Sequence, residues 1–418
     1  MHKWILTAFL LSLSFSSVWA TNAEEALNFY KQQISAFPTQ NSRENRLYAS
    51  ALANALDTWI QQNPQHASAP EVRLWQARLL LRAQEKGAAA VALLQLRGRF
   101  AQPDLTSLTP LFEEAVEGLH KDYRQTALQS FKAEPVATQK PAEKEAHVLY
   151  TLSKLAGKEY YPAAAQAFER FFSTYPNYTG NNEIELWYGD LHRVNGNYLA
   201  AITQYKKADK LYPQSPYKAA SLRLIGDIYA DNLKNTEAAT QAYTTVLRLY
   251  PDSSETGIVY KHMAILDENN KQYDSALINY DKAIELLGTT PAAYEAYRGK
   301  ADVYVKTKNY TEAYQTLHKA ATVFQTNPGQ AAQALEEAAQ IARKKLQDEV
   351  KYTQSLEKAI ALAPHATQTA ENMYVLAHAY EKQGKTAQAQ EMYKRLILNF
   401  PTHKQAAKAQ NRLTGLSK

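Results

Sequence analysis

Residues 183–213 read EIELWYGDLHRVNGNYLAAITQYKKADKLYP, and this stretch decides the fold. Glu185 to Val194 has the apolar spacing of a helix, Asn195-Gly196-Asn197 is a turn, and Tyr198 to Leu211 is a second amphipathic helix. That helix stops at Tyr212-Pro213, because proline lacks the amide donor and clashes with the preceding turn. Gly189 and Ala201 are expected to face each other where the two helices cross, since close axes need small side chains at the contact. Tyr205 and Ala208, three apart on one face, are expected to pack on the first helix of the next pair.

The second helix repeats along the chain. A small residue, an aromatic four later and a proline twelve later recur as Ala164–Phe168–Pro176, Ala201–Tyr205–Pro213, Ala239–Tyr243–Pro251 and Ala389–Tyr393–Pro401. Ala276–Tyr280–Ala283 carries Gly288 in the proline slot, and Ala313–Leu317–Ala320 keeps the spacing without the proline. Several anchors lie 37 or 38 residues apart, the period of a repeat array. Stacked pairs of this kind predict an all-α chain of antiparallel helix hairpins in which each pair touches its neighbours.

These residues resemble the tetratricopeptide repeat family from about Glu145 to Leu416. The fullest match has Met373, Leu376, Ala377 and Tyr380 on a first helix, Gly384 in the turn, and Ala389, Tyr393, Leu396 and Pro401 on the second. Residues 222–251 fit with Gly226 and Tyr229 but need one extra residue near Asn232, and the first helix and turn between Ala331 and Pro364 are blurred. The resemblance implies a right-handed superhelical solenoid. It also implies a site: the exposed positions of the first helices, which line the inner wall. Here these are Leu186, Asp190, Arg193, Arg223, Asp227, Lys261, Glu268, Arg298, Asp302, Tyr374, His378 and Glu381. Arg223, Lys261 and Arg298 take one equivalent position in three successive pairs, while Arg223–Asp227 and Arg298–Asp302 have the spacing of local ion pairs. The long spacing is similar to that of periplasmic members associated with the Tol–Pal system and outer-membrane assembly. The asparagine-plus-lysine clamp of chaperone-binding members is absent at the matching positions.

Upstream the pattern weakens. Ala26–Tyr30–Pro38 repeats the offsets, and Leu52–Leu56–Trp59–Pro64 has the form of another second helix. Glu71 to Arg82 and Ala88 to Phe100 are expected to pair across Lys86-Gly87, and Leu111 to Phe131 to form one or two helices. The expected division is a targeting segment over 1–20, divergent helical repeats over 21–131, a linker or loop over 132–144, and the main array with a capping helix over 145–418. The cap, Lys404 to Leu416, is expected to turn Ala406, Ala407 and Leu413 inward.

Lys3, the uncharged run from Trp4 to Val18 and the small-x-small site Val18-Trp19-Ala20 read as an export signal cleaved after Ala20. The most apolar later stretch, Leu79 to Leu96, is interrupted by Arg82, Glu85 and Lys86, so no transmembrane segment is expected. The chain contains no cysteine, which removes disulfides, thiolate metal sites and lipid attachment through a cysteine. Export without cysteine fits a Gram-negative periplasm.

Composition excludes further classes. The formal net charge is +6 with the signs interspersed, and the basic knot Arg343-Lys344-Lys345 meets Asp348 and Glu349 at once, unlike the one-sided stripe of a nucleic-acid binder. The histidines stand singly, with no HExxH pattern, no nucleophile elbow and no phosphate-cradling loop. No catalytic residue, metal or cofactor is expected. The expected role is a periplasmic scaffold for a protein or peptide partner of a cell-envelope machine. The alternative is a polysaccharide-export or cell-wall component that presents some of its 28 tyrosines to a glycan or a glycan-acting enzyme.

Overall fold

A computed structural model of the protein describes residues 23–38, 40–99, 105–133 and 140–416. The export signal over 1–20 and the centre of the expected linker, 134–139, lie outside the described residues. Within them the chain forms 21 α-helices and no strand, divided into two units between Ile228 and Tyr229.

The first unit holds α1 (Ala23–Ser35), α2 (Arg43–Gln62), α3 (Ala69–Arg82), α4 (Lys86–Arg99), α5 (Leu105–Ala115) and α6 (Lys121–Lys132). It continues through α7 (Pro141–Leu152), α8 (Tyr161–Thr174), α9 (Asn181–Val194), α10 (Tyr198–Leu211) and α11 (Lys218–Asp227). One apolar core runs from Leu27 to Leu191, and α4 packs on α3, α5, α7 and α8 together. The expected linker over 132–144 therefore does not separate one core from another. Lys132 ends α6, Pro141 starts α7, and the buried Gln95 of α4 donates to Glu145 of α7 at 3.1 Å. The stretch from Leu111 to Phe131, expected as one or two helices, falls in two, α5 and α6, which close on the Phe112–Phe131 stack with ring centroids 4.1 Å apart.

The turn between α3 and α4 lies earlier than Lys86-Gly87. Gln84 takes the left-handed conformation, φ 64°, and Gly87 sits inside the first turn of α4. A Cβ on Gly87 would lie 1.9 Å from the Glu159 carbonyl oxygen. Glycine is required there by the approach of two backbones, not by a turn.

The second unit holds α12 (Thr236–Leu249) and four hairpins. These are α13 (Thr256–Asn269) with α14 (Tyr273–Leu287), α15 (Pro291–Lys306) with α16 (Tyr310–Val323), α17 (Pro328–Ile341) with α18 (Glu349–Leu362), and α19 (Thr367–Lys382) with α20 (Thr386–Asn399). The cap is α21 (Lys404–Leu416), which buries Ala406 and Ala409, whereas Ala407 faces solvent. Second helices stop where the sequence stops them: Tyr212 donates to the Ala208 carbonyl at 3.0 Å, Tyr250 to Val246 at 2.8 Å, and Phe400 to Leu396 at 2.9 Å, each just before a proline. Side-chain caps start others, as Asn235 accepts from the Ala238 amide at 3.0 Å and Asp348 from Lys351 at 2.9 Å.

The turns inside hairpins share one geometry. Gly196, Lys234, Lys271, Lys308, Gln347 and Gly384 all have positive φ, and the next amide closes back on the first helix. In regular turns that bond spans five residues, as from Asn309 to the Tyr304 carbonyl. After Ile228–Asn232 and Ala342–Leu346 it spans six, from Asn235 to Tyr229 and from Asp348 to Ala342, and in both places the helix widens into a π turn. The extra residue counted near Asn232 and the blurred turn before Asp348 are these two widenings.

Candidate partner-binding surfaces

The first helices carry the expected wall residues, and most of their charges are engaged. Leu186 is an exception to the expected exposure: it is buried in α9, at 9%. Asp190 accepts from the Tyr205 hydroxyl at 2.8 Å and from Arg193 at 3.0 Å. Glu268 accepts from Tyr280 at 2.8 Å and from Lys306 at 2.6 Å. Glu381 meets His378 at 3.3 Å and Arg412 at 3.6 Å. Two wall carboxylates, Asp190 and Glu268, thus anchor the hydroxyls of stacking tyrosines. Burial first, and these carboxylates next, push Tyr205 and Tyr280 far above the ordinary phenol value.

Tyr205 packs on its own pair. Its ring fills the space over Gly189 of its own first helix, where a Cβ would lie 2.2 Å from the ring. Tyr280 meets the next pair as well, with Gly299 against its ring edge. Gly189 and Gly299 each accommodate a tyrosine ring.

The three equivalent cations are also paired. Arg223 bonds Asp227 on its own helix. Lys261 of α13 reaches Glu295 of α15, and Arg298 of α15 reaches Glu337 of α17 at 2.8 Å, in place of the expected Asp302. Asn372 of α19 donates to Glu336 at 2.5 Å, and Lys404 of α21 meets Glu371 at 2.8 Å. In the second unit these bonds form a ladder from each first helix to the next. Desolvation, then Glu268 and Glu337, raise the Asp302 carboxyl above its ordinary range. Tyr374 lies beside Tyr393, ring centroids 5.8 Å apart.

A second surface was not read from the sequence. In the first unit α2, α3, α4 and α8 enclose a cleft of about 660 Å³. On its floor the buried Asp57 bonds Arg73 at 2.9 Å, Arg170 at 2.6 Å and the Gln61 amide at 2.7 Å. Burial raises the Asp57 carboxyl, but the two guanidiniums outweigh it and hold it below its ordinary value. Arg73 is 3% exposed and also donates to Gln76 at 2.7 Å, while its Nε has no hydrogen-bond partner. The legible signal was a charge inside an apolar stripe: Arg73 lies among Ala69, Val72, Ala77 and Leu80, and Asp57 among Ala53, Leu56 and Ile60. Among the described residues no three His, Asp or Glu side chains converge as metal ligands would, and no helix is long and apolar enough to cross a membrane.

Paired helices with alanine and glycine under aromatic rings, stacked in order, define a class of helical repeat proteins. Two family models, each described as tetratricopeptide repeat, match residues 220–253 and 371–403, and residues 155–216 and 263–331. The chain belongs to the tetratricopeptide repeat family. Solved structures similar to it include the C-terminal part of a TPR repeat-containing protein from Cytophaga hutchinsonii, 16% identical, with a TM-score of 0.43 over 63% of this chain and 97% of that one. A tetratricopeptide repeat protein from Parabacteroides merdae is 18% identical, with a TM-score of 0.37 over 66% of this chain and 99% of the other. PilW, described as a widely conserved type IV pilus biogenesis factor, is 18% identical, with a TM-score of 0.34 over 56% of this chain and 100% of its own. No curated protein matches the chain.

Proposed function

We propose that the protein is an exported periplasmic scaffold that holds a protein or peptide partner of a cell-envelope assembly and does no chemistry of its own. The observation that carries this reading is the repeat stack itself, which spends its aromatic rings on internal packing and turns polar side chains outward over many successive helices. Lys3, the apolar run and Val18-Trp19-Ala20 supply the route to the periplasm. The glycan alternative has less behind it. Tyr205, Tyr243, Tyr280 and Tyr393 are fully buried, and the lining of the 660 Å³ cleft contains no aromatic ring on which a sugar could stack.

The test is crosslinking of the full chain in the cells that make it, followed by affinity purification from the envelope fraction and sequencing of the mature N-terminus. The expected result is a mature chain beginning at Thr21 that carries one reproducible envelope neighbour. An uncleaved cytosolic chain, or a periplasmic monomer with no crosslinked neighbour, overturns the reading.

A further inference from the structure

The floor of the first unit's cleft has more positive than negative charge. Arg73 and Arg170 share one carboxylate, that of Asp57. Two neighbouring cations are paired elsewhere: Arg99 with Glu145, both near Arg73, at 2.8 Å, and Lys86 with Glu117 at 2.9 Å. Two guanidiniums on a single carboxylate leave one positive charge at that floor without a counter-ion. Arg170 is the accessible member, with a third of its side chain open to solvent.

The walls restrict what can complete it. Exposed amide side chains enter from three separate segments, as Asn54, Gln84 and Gln166. Each offers both a donor and an acceptor, which matches the alternating amide and carbonyl groups of an extended peptide. The remaining lining includes Glu85, Glu159 and Glu169. Three carboxylates around a cationic floor repel a polyanion such as a phosphate chain or nucleic acid, and favour basic groups beside a single acid.

We propose that this cleft binds an extended peptide segment of the partner, seating one carboxylate, from an Asp or Glu side chain or from a chain terminus, against Arg73 and Arg170. The proposal rests on the scaffold reading and gives it a place and a ligand chemistry. The carboxylate would form charge-assisted bonds to guanidinium donors in a partly dry site, where such bonds are strongest.

The test uses the full mature chain and fluorescence anisotropy with synthetic peptides. One probe is a blocked peptide with a central glutamate flanked by alanines and lysines, compared with its glutamine counterpart. Another is an alanine–lysine peptide with a free C-terminal carboxylate, compared with its amidated form. The glutamate or the free-terminus probe should bind about tenfold more tightly than its neutral partner, the difference expected for one charge-assisted bond. Whichever shows the preference identifies the source of the carboxylate. Arg170→Gln should remove the preference, and Gln166→Trp, which blocks the cleft without touching the ion pairs, should weaken both members of the pair. Circular dichroism verifies that both variants fold. Equal binding of charged and neutral peptides, a preference that survives Arg170→Gln, or equal competition by inorganic phosphate overturns the proposal. Envelope crosslinking separates the two readings: a partner captured equally by wild type and Arg170→Gln leaves the scaffold standing and removes the cleft.

Discussion

At the residue scale the chain uses tyrosine as a bracket. Tyr205 places its ring on Gly189 and its hydroxyl on Asp190, two adjacent residues of one helix, so packing and polar satisfaction are fixed together. Gly189→Ala drives a methyl into the Tyr205 ring and should cost about 1–3 kcal/mol, the range of overpacked cores. Most of that cost should vanish in a Tyr205→Leu background, as a denaturation double-mutant cycle would show; an unchanged cost would mean that the ring is not the obstacle. His318 makes a second residue-scale prediction. Ser355 donates to the Lys351 carbonyl, so its oxygen accepts from Tyr314 at 3.2 Å and from His318 Nε2 at 2.9 Å. Burial first, then Lys358, push the imidazole down to about 4. The folded chain therefore keeps His318 neutral where the unfolded chain takes up a proton. Stability is full above the unfolded value of about 6.5 and declines as pH falls toward about 4. His147 and His192, both lowered by burial, add to the same decline. His318→Gln should flatten the curve of melting temperature against pH in that window without abolishing it, and an unaltered slope would exclude His318 as a contributor.

At the element scale the hairpin turn decides where each second helix starts. Seven of the turns inside hairpins hold one left-handed residue, yet only Gly196 and Gly384 supply glycine, while Lys271 and Lys308 adopt φ 61° and 64°. A left-handed L-residue costs about 1–2 kcal/mol, and glycine gives back some of that gain through its freer unfolded chain. Lys271→Gly and Lys308→Gly should therefore each stabilise by about 0.5–1 kcal/mol, and Gly384→Lys should destabilise by a similar amount, in chemical denaturation. Destabilisation by either glycine would mean that the lysine side chain contributes more than its backbone costs. These turns also show what a sequence discloses. Gly196 and Gly384 mark their turns because their residue type fits the conformation, whereas lysine carries no such mark. Proline after Tyr212, Tyr250 and Phe400 marks helix ends because it forbids continuation. Gly87 misled for the opposite reason: its cause is the Glu159 carbonyl, 72 positions away in sequence and invisible locally. The ladder of cations was legible as a row, but the acceptors Glu295 and Glu337 lie one repeat onward, beyond the reach of i,i+4 reasoning.

At the scale of the whole molecule the two units differ in how their helices depend on one another. In the second, substantial contacts join each helix to the next, with weaker ones from first helix to first helix, the nearest-neighbour pattern of a repeat array. In the first, α4 is shared by α3, α5, α7 and α8, and the cleft with Asp57, Arg73 and Arg170 lies in this less regular packing. That explains why the array was read from its period and the cleft was not: Arg170 joins Asp57 from 113 residues away, and no repeat brings them together. The same difference governs how damage spreads. Leu93 of α4 and Leu317 of α16 are both buried leucines, so their change to alanine removes the same atoms and should cost about 2–5 kcal/mol in either place. In Leu93→Ala, hydrogen exchange should quicken together in α3, α4, α7 and α8, because one helix supports them all. In Leu317→Ala it should quicken in α15, α16 and α17 and return to the wild-type rate by α20 and α21. A response confined to α4 and its sequence neighbours in the first variant would show that α4 is not the common support, and uniform exchange through α21 in the second would show that the array unfolds as one body.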